Sequence, residues 1–300
     1  MNLAKLDKLI TANGLAAEFR STVEQWYLPL THAIAAGRQE QPLILGIQGS
    51  QGSGKSTLAQ FIKILLEENF ALRCIELSLD DFYLRHSERQ TLAETIHPLL
   101  QTRGVPGTHD VELAVHTIDA LCKLGADESL LVPRFNKAID DRCPPEQWDK
   151  VSGKLDVIIF EGWCVGCAAQ EESALDRPIN RLEQDEDAEC IWRRYVNHAL
   201  ASSYPALFKK MQRLVVLQAP SFDCVYAWRW LQEKKLIANW QAKNPEQPAR
   251  LLDEASVRRF VSHFERLTRH CLNTLPAQAD WVLTLNKEHK ITRLTTKARL

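Results

Sequence analysis

The sequence predicts an α/β fold in which a mostly parallel central sheet is covered by helices on both faces. Short, mostly apolar runs of strand length recur along the chain, and stretches with apolar residues at helical spacing lie between them. This alternation is typical of a parallel sheet, because the return connection between parallel strands is usually a helix. A glycine-rich motif stands between the first apolar run and the helical stretch that follows it.

The predicted strands are rich in Leu, Ile and Val, as expected for strands that are buried on both faces. They comprise residues 43–47, 72–79, 157–160, 214–217 and 281–285. The predicted helices repeat apolar side chains every three to four residues. They comprise residues 58–66, 111–121 and 257–267.

We expect a single domain over residues 1–300. An N-terminal helical extension comprises residues 1–42 and ends in a polar loop at 37–42. The core that follows comprises residues 43–300. The stretch 168–189 is polar and net acidic, so we expect it to be an excursion on the surface.

The composition is that of an ordinary globular protein and excludes several classes of function. The formal net charge is −1, whereas proteins that bind nucleic acid usually carry a strong basic excess, so we expect no nucleic-acid partner. No run of 18 apolar residues occurs, so we expect no membrane span, and the first 20 residues lack the apolar centre of a signal peptide. The composition leaves open whether the protein is a monomer or a homo-oligomer.

Eight cysteines are scattered along the chain, and we interpret them as free thiols in a reducing, cytoplasmic setting. Cys164 and Cys167 form the only C-x-x-C pair. A structural zinc ion needs four ligands, and no second close pair is present. The pair is therefore interpreted as two small apolar side chains.

The glycine-rich motif has the form G-x-x-x-x-G-K-[ST], which is the signature of a phosphate-binding loop. Its glycines allow the backbone N–H groups to approach phosphate oxygens, and the helix that follows adds its positive end. Lys55 is expected to reach the β- and γ-phosphates, and the Ser56 hydroxyl to ligate Mg²⁺. The motif predicts that ATP binds with Mg²⁺. The candidate nucleotide-binding residues are Gly49, Ser50, Gln51, Gly52, Ser53, Gly54, Lys55, Ser56 and Thr57.

Carboxylates follow the second and third predicted strands. Asp80 and Asp81 end one strand and Glu161 ends the other, and ligands of parallel sheets bind beyond these strand ends. Phosphoryl transfer to a hydroxyl needs a group that orients and deprotonates the acceptor, and an acidic group near the metal. Asp80 suits the first role and Glu161 the second. The alternative for Asp80 and Asp81 is helix capping after the strand.

Four segments occur in the order found in the phosphoribulokinase/uridine kinase superfamily. They are the phosphate loop, Asp80-Asp-Phe-Tyr83, Arg103-Gly-Val-Pro-Gly-Thr-His-Asp110 and Phe160-Glu-Gly-Trp163. The chain most resembles the plant-type D-glycerate 3-kinases and their bacterial and fungal kinase-like relatives. Further similarity lies at Pro133-Arg-Phe-Asn-Lys137 and Val225-Tyr-Ala-Trp-Arg229, and the resemblance extends from about residue 43 to residue 286.

The resemblance implies a P-loop kinase of three-layer architecture with a helical lid. It points to Asp80 as the base and to Arg229 as the arginine that reaches over the triphosphate. It also implies that the acceptor is a small molecule with a hydroxyl group, D-glycerate first. The chain differs from the plant pattern at Phe135, Asn136 and Ala138, so a nucleoside, pantothenate or a sugar phosphate stays open as the acceptor.

Several candidates for acceptor binding have structural alternatives. Arg229 could form an i,i+4 pair with Glu233. Arg103 and His109 could shape a turn before a helix that Thr108 caps. The other cations could be solvated loop charges, although a carboxylate acceptor would favour an arginine fork. The candidate acceptor-binding residues are Asp81, Tyr83, Arg103, His109, Arg134 and Lys137.

A regulatory NTPase or GTPase switch is the alternative from another class of function. Residues 286–289 resemble the guanine-reading N-K-x-D motif, but His289 replaces the carboxylate that reads guanine. A phosphate-binding protein without chemistry is a third possibility, yet Asp80 and Glu161 are both present. The sequence therefore favours a small-molecule kinase.

Overall fold

The structure is a computed structural model that describes residues 3–37, 41–243 and 253–297. The helices are α1 Leu3–Ala12, α2 Phe19–Thr22, α3 Leu28–Ala36, α4 Lys55–Phe70, α5 His86–Thr95, α6 Val111–Lys123, α7 Arg181–Glu186, α8 Ile191–Ser202, α9 Tyr204–Phe208, α10 Phe222–Lys243 and α11 Glu254–Thr274. The strands are β1 Leu43–Gly49, β2 Cys74–Ser78, β3 Ser129–Val132, β4 Phe135–Asn136, β5 Asp141–Arg142, β6 Asp149–Ser152, β7 Val157–Gly162, β8 Arg213–Gln218, β9 Trp281–Leu285 and β10 Ile291–Thr296.

Six strands form the central sheet in the order β2-β7-β1-β8-β9-β10. The first five run parallel, and β10 pairs antiparallel with β9 at the border. The predicted α/β class with a mostly parallel sheet is confirmed, and all five predicted strands are present. Strand β10 was not predicted, because only Ile291 and Leu294 interrupt an otherwise polar stretch.

Alternate residues of the central strands point to opposite faces, and each face carries its own apolar core. On β1, Ile44 belongs to one core, whereas Leu45 and Ile47 belong to the other. Helices α6, α8, α9 and α11 cover the first face. Helices α1, α3, α4 and α10 cover the second. The result is a three-layer arrangement in which the carboxyl ends of β1, β2 and β7 stay accessible for a site.

The N-terminal extension packs its helices on α4. The ring of Phe61 lies 5.4 Å from that of Phe19 and 5.8 Å from that of Tyr27. A π-helical segment, Val23–Tyr27, joins α2 to α3. Residues 38–40 of the predicted polar loop lie outside the described residues. That the chain forms one domain stays a prediction.

Residues 168–189 are only partly the surface excursion that their polarity predicts. Many of their side chains are exposed, but Leu175 and Leu182 are buried in the fold. Glu183 is fully buried. Its carboxylate tolerates burial because it accepts two hydrogen bonds from Arg266 of α11, at 2.8 and 2.6 Å. A bidentate pair of this kind compensates the carboxylate for lost hydration.

Two small hairpins lie between α6 and β7, and neither was predicted. Strand β3 pairs with β6, and β4 pairs with β5. Strands of two to four residues carry too few side chains for a period to be recognised.

In the part of the chain that the structure describes, no helix is long and apolar enough to cross a membrane. All eight cysteines are free, and both Cys164 and Cys167 are buried.

Candidate active site

The phosphate loop connects a fully buried strand to a long helix. Strand β1 ends at Gly49, and α4 begins at Lys55. Gly52 and Gly54 have φ angles of +75° and +91°, which residues with a Cβ atom rarely adopt. The loop therefore turns sharply, and Lys55 and Ser56 fall in the first turn of α4, where the backbone N–H groups of a helix are unpaired.

Glu161, near the end of β7, lies directly beside this helix start. The Ser56 hydroxyl donates a hydrogen bond of 3.1 Å to its Oε1, and Lys55 Nζ lies 3.8 Å from its Oε2. Glu161 is buried, and within the described residues its Oε2 accepts no hydrogen bond. Carboxylate and hydroxyl oxygens are the ligands that Mg²⁺ prefers. Ser56 and Glu161 therefore have the chemistry to hold a divalent cation.

No group of three or more His, Cys, Asp or Glu side chains that could hold a metal occurs in the described ranges. A cation between Ser56 and Glu161 would consequently depend on phosphate oxygens and water for its other ligands, as Mg²⁺ commonly does. The loop carries further unsatisfied oxygens, because the buried hydroxyls of Ser50 and Ser53 have no hydrogen-bond partner among the described residues.

Asp80 lies in a short 3-10 turn, Leu79–Phe82, at the end of β2. Its Oδ1 accepts a hydrogen bond of 2.7 Å from the Tyr83 hydroxyl, and its Oδ2 one of 2.5 Å from Lys137 Nζ. Burial alone would raise the pKa of Asp80. The positive charges of Lys137 and Lys55 and the two hydrogen bonds outweigh burial and lower the pKa to about 2. Asp80 is therefore ionised at neutral pH.

Asp81 points elsewhere. Its Oδ2 accepts a hydrogen bond of 2.6 Å from Arg134, which also contacts Asp149 at 2.7 Å. Burial raises the pKa of Asp81, although Arg134 acts against it. Neither Asp81 nor Arg134 is among the described residues that line the cavity over the phosphate loop. Of the two neighbouring aspartates, therefore, only Asp80 faces the cavity. Neither caps the 3-10 turn, because the oxygen that accepts the capping hydrogen bond belongs to Ser78.

A cavity of about 670 Å³ extends from the phosphate loop to Asp80. The predicted site residues that line it are Gln51, Gly52, Gly54, Lys55, Ser56, Thr57, Asp80, Tyr83, Arg103, Lys137, Glu161 and Arg229. The predicted site residues outside this lining are Gly49, Ser50, Ser53, Asp81, His109 and Arg134. One cavity therefore brings the nucleotide-binding motif together with Asp80 and with three of the six acceptor-binding candidates, Tyr83, Arg103 and Lys137.

His109 lies behind the cavity wall. Its ring stacks on Tyr83 at 4.7 Å between centroids, and its Nδ1 lies 2.6 Å from the Tyr204 hydroxyl. Burial lowers its pKa to about 4, against the opposing effect of the Asp80 charge, so the imidazole is neutral at pH 7. His109 thus contacts the site through Tyr83.

The structural alternative in which Thr108 caps the helix is wrong in its choice of residue. Asp110 caps α6, since its Oδ1 accepts a hydrogen bond of 3.0 Å from the backbone N–H of Leu113. The Thr108 hydroxyl instead donates a hydrogen bond of 2.7 Å to the carbonyl of Val105 and accepts one from the backbone N–H of Gly104. It closes the tight turn before the helix and is itself fully buried.

Helix α10 covers the nucleotide side of the cavity. A Cβ atom at Gly52 would lie 3.1 Å from the Trp228 Cβ and 3.3 Å from the Arg229 nitrogen, so the helix rests on the loop. Arg229 pairs with Glu233 at 2.7 Å and also lines the cavity, with its guanidinium 5.9 Å from the Phe260 ring. The surface-pair interpretation and the site interpretation of Arg229 are therefore compatible.

Eight further lining residues were not among the predicted site residues: Trp163, Trp228, Leu231, Phe260, Phe264, Lys287, Glu288 and His289. The Trp228 ring packs on the His289 ring in a tilted arrangement, with 4.4 Å between centroids, and its indole N–H donates a hydrogen bond of 3.2 Å to the Lys287 carbonyl. The similarity of residues 286–289 to a base-reading loop was the one signal that pointed to this wall. Aromatic residues at helical spacing, such as Phe260 and Phe264, resemble core residues in any sequence.

No family model matches the chain. The uncharacterized kinase mug58 of Schizosaccharomyces pombe is 36% identical over 233 residues, which are 75% of this chain and 79% of that protein. The chloroplastic D-glycerate 3-kinase of Arabidopsis thaliana is 31% identical over 250 residues, 81% of this chain and 50% of that enzyme. The chain thus spans about half the length of the plant relative.

The fold is also that of a solved protein. A D-glycerate 3-kinase from Cryptococcus neoformans var. grubii superposes with a TM-score of 0.70 at 24% identity, covering 94% of this chain and 100% of that one. The phosphate loop and the kinase-named relatives together identify a P-loop phosphotransferase that acts on a hydroxyl of a small molecule. The chain belongs to the family that unites the plant-type D-glycerate 3-kinases with their bacterial and fungal kinase-like relatives.

Proposed function

We propose that this protein transfers the γ-phosphoryl group of ATP, with Mg²⁺, to a hydroxyl group of a small hydroxy acid. D-Glycerate is the first candidate, phosphorylated at its 3-hydroxyl. One observation carries the proposal: an ionised carboxylate, Asp80, faces the same cavity as the phosphate loop, with Lys137 hydrogen-bonded to it and Arg103 in the lining of that cavity. The 31% identity to a plant D-glycerate 3-kinase supports the choice of acceptor.

The nucleotide half of the cavity contains the groups that bind and orient a triphosphate. The N–H groups of the glycine-rich loop and the Lys55 ammonium group contact the phosphates, and Arg229 adds charge from α10. Ser56 and Glu161 would hold Mg²⁺. When bound, this ion neutralises the charge that develops on the transferred phosphoryl group.

The acceptor half contains the groups that bind and activate a hydroxyl. Asp80 accepts a hydrogen bond from the acceptor hydroxyl and takes its proton as the new O–P bond forms. Tyr83 holds the Asp80 carboxylate in orientation through the hydrogen bond of 2.7 Å. A carboxylate on the acceptor would attract Lys137 and Arg103. Drawing Lys137 away from Asp80 would also raise the pKa of Asp80 and make it a better base.

A coupled assay of ADP release tests the proposal. D-Glycerate, L-glycerate, pantothenate, uridine, ribulose 5-phosphate and simple polyols are compared as acceptors, with a sample that lacks any acceptor as the control. We expect ADP release that depends on D-glycerate, with 3-phosphoglycerate identified by mass spectrometry and NMR.

The outcomes separate the parts of the proposal. Stimulation by uridine or pantothenate with none by glycerate would discard the hydroxy acid but keep the kinase. Steady hydrolysis without stimulation by any hydroxyl compound would instead indicate a regulatory NTPase.

A further inference from the structure

Arg89 is a buried arginine outside the cavity lining, and its contacts connect the acceptor half of the site. It lies on α5, only 1% exposed. A buried guanidinium is costly unless all its donors are satisfied, so its partners identify what it holds.

Three of those partners are backbone carbonyls from separate segments. Nε donates to Leu84 O at 3.2 Å, one Nη to Gln101 O at 2.7 Å, and the other to Asp140 O at 2.7 Å. The second Nη also lies 2.9 Å from the Asp140 carboxylate.

Each of these carbonyls lies close in sequence to a residue of the acceptor half. Leu84 follows Tyr83, and Gln101 lies two residues before Arg103. Asp140 lies three residues after Lys137, in the turn that joins β4 to β5. One side chain thus connects the three segments that contribute Tyr83, Arg103 and Lys137 to the cavity.

Asp140 extends the connection to the cavity itself. Its carboxylate also accepts a hydrogen bond from Arg103, so it bridges the buried Arg89 to a cavity-lining arginine. Its φ angle of +56° is uncommon for a residue other than glycine, and such conformations persist where surrounding contacts over-determine them.

We propose that Arg89, acting with Asp140, is the positioning residue that sets the spacing between Tyr83, Arg103 and Lys137. The inference rests on the proposed function, since it takes the acceptor to bind beside Asp80. Displacements of about 1 Å at a reacting centre can cost on the order of 100-fold in rate, so a positioning residue outside the cavity can have a large effect.

The test compares Arg89→Met with Arg193→Met. Arg193, on α8, is a close match: it is 2% exposed, donates to the carbonyls of Leu175, Glu183 and Asp187 and pairs with the Asp187 carboxylate, but it does not line the described cavity. Both variants lose a buried guanidinium, and both should be less stable. Only Arg89→Met should raise the KM for the acceptor, on the order of 10–100-fold, with the KM for ATP unchanged.

Two milder variants keep the test valid if Arg89→Met does not fold. Arg89→Lys keeps the charge but loses the planar fork, and Asp140→Asn keeps the backbone carbonyl but loses the pairing with Arg103. Both should raise the KM for the acceptor, Asp140→Asn less than Arg89→Lys.

Hydrogen exchange of the full chain adds a readout that does not need turnover. In Arg89→Met, exchange should rise together in residues 83–85, 101–103 and 137–141, and not in residues 49–57. Wild-type protein that no acceptor stimulates would refute the proposed function, and the exchange result would still test Arg89. Unchanged exchange in these segments, or an equal rise of the acceptor KM in Arg193→Met, would overturn the positioning role.

Discussion

The assignment of Asp80 as the proton acceptor is tested by Asp80→Asn. The amide has nearly the shape of the carboxylate, so Tyr83 can still donate a hydrogen bond to its oxygen. It carries no negative charge, however, and cannot take the proton of the acceptor hydroxyl. General bases contribute about 10²–10⁴-fold, so we expect kcat to fall by a factor in this range. ATP affinity should be retained, because the phosphate-binding groups are elsewhere.

The same substitution has a consequence for stability. The pKa of Asp80 is lowered from 3.8 to about 2 in the folded protein. A depressed pKa of a carboxyl group stabilises the folded state at pH values above the unfolded pKa, and this stabilisation is lost as the pH falls towards the folded value. The difference between these two pKa values corresponds to roughly 2 kcal/mol of stability, which Asp80→Asn should lose at neutral pH. For a chain of this length we expect the Tm to fall by roughly 3 °C.

Asp81→Asn is the matched control, since it changes the neighbouring carboxylate, which pairs with Arg134 outside the cavity. ADP release is measured with saturating acceptor, and ATP binding is measured by calorimetry on the same preparations. Asp81→Asn should keep most of its turnover. An inactive Asp81→Asn beside an active Asp80→Asn would refute the assignment. Loss of ATP binding in Asp80→Asn would show that Asp80 serves the nucleotide.

Three further predictions concern the phosphate loop, the metal and pH. Lys55→Ala should abolish turnover with an unchanged circular dichroism spectrum, and full activity in this folded variant would disprove the phosphate-loop assignment. Glu161→Gln should raise the Mg²⁺ concentration that gives half-maximal activity, and an unchanged Mg²⁺ titration would assign Glu161 another role. His109 has a pKa lowered by burial from 6.5 to about 4, so the folded state binds fewer protons than the unfolded state between these values. Stability should therefore be complete above pH 6.5 and fall by up to roughly 3 kcal/mol towards pH 4. His109→Gln should flatten this part of the Tm–pH curve, and an unchanged slope would contradict the buried neutral imidazole.

The phosphate loop and the parallel strands could be predicted because their signals are local. Residues 43–56 combine an apolar strand, glycines that permit left-handed backbone and a lysine at the helix start, and each feature has its own physical reason. The strand ends then located Asp80 and Glu161, since ligands bind beyond the carboxyl ends of parallel strands.

The different environments of Asp80 and Asp81 could not be predicted, because they depend on side-chain partners more than 50 residues away in the sequence. Lys137 reaches Asp80 from the turn after β4, and Arg134 reaches Asp81 from the residue before β4. A hairpin of two-residue strands leaves no periodic signal, so the positions of its cations come only with the fold. On α10 and α11 the sequence indicated Arg229, but Trp228, Phe260 and Phe264 were missed, because aromatic residues at helical spacing resemble core residues.

The two borders of the central sheet have a consequence for how the protein behaves when it is concentrated. An unpaired strand border offers N–H and C=O groups to any extended chain, and short length and charge are the usual protections against such pairing. Strand β2 has only five residues, and the side chain of Arg73 contacts the Ser152 carbonyl next to this border. Strand β10 forms the opposite border of the sheet, and it carries an exposed charge, Arg293, among threonines. Both borders are therefore poor templates for adding a strand, which disfavours self-assembly of this protein through its sheet.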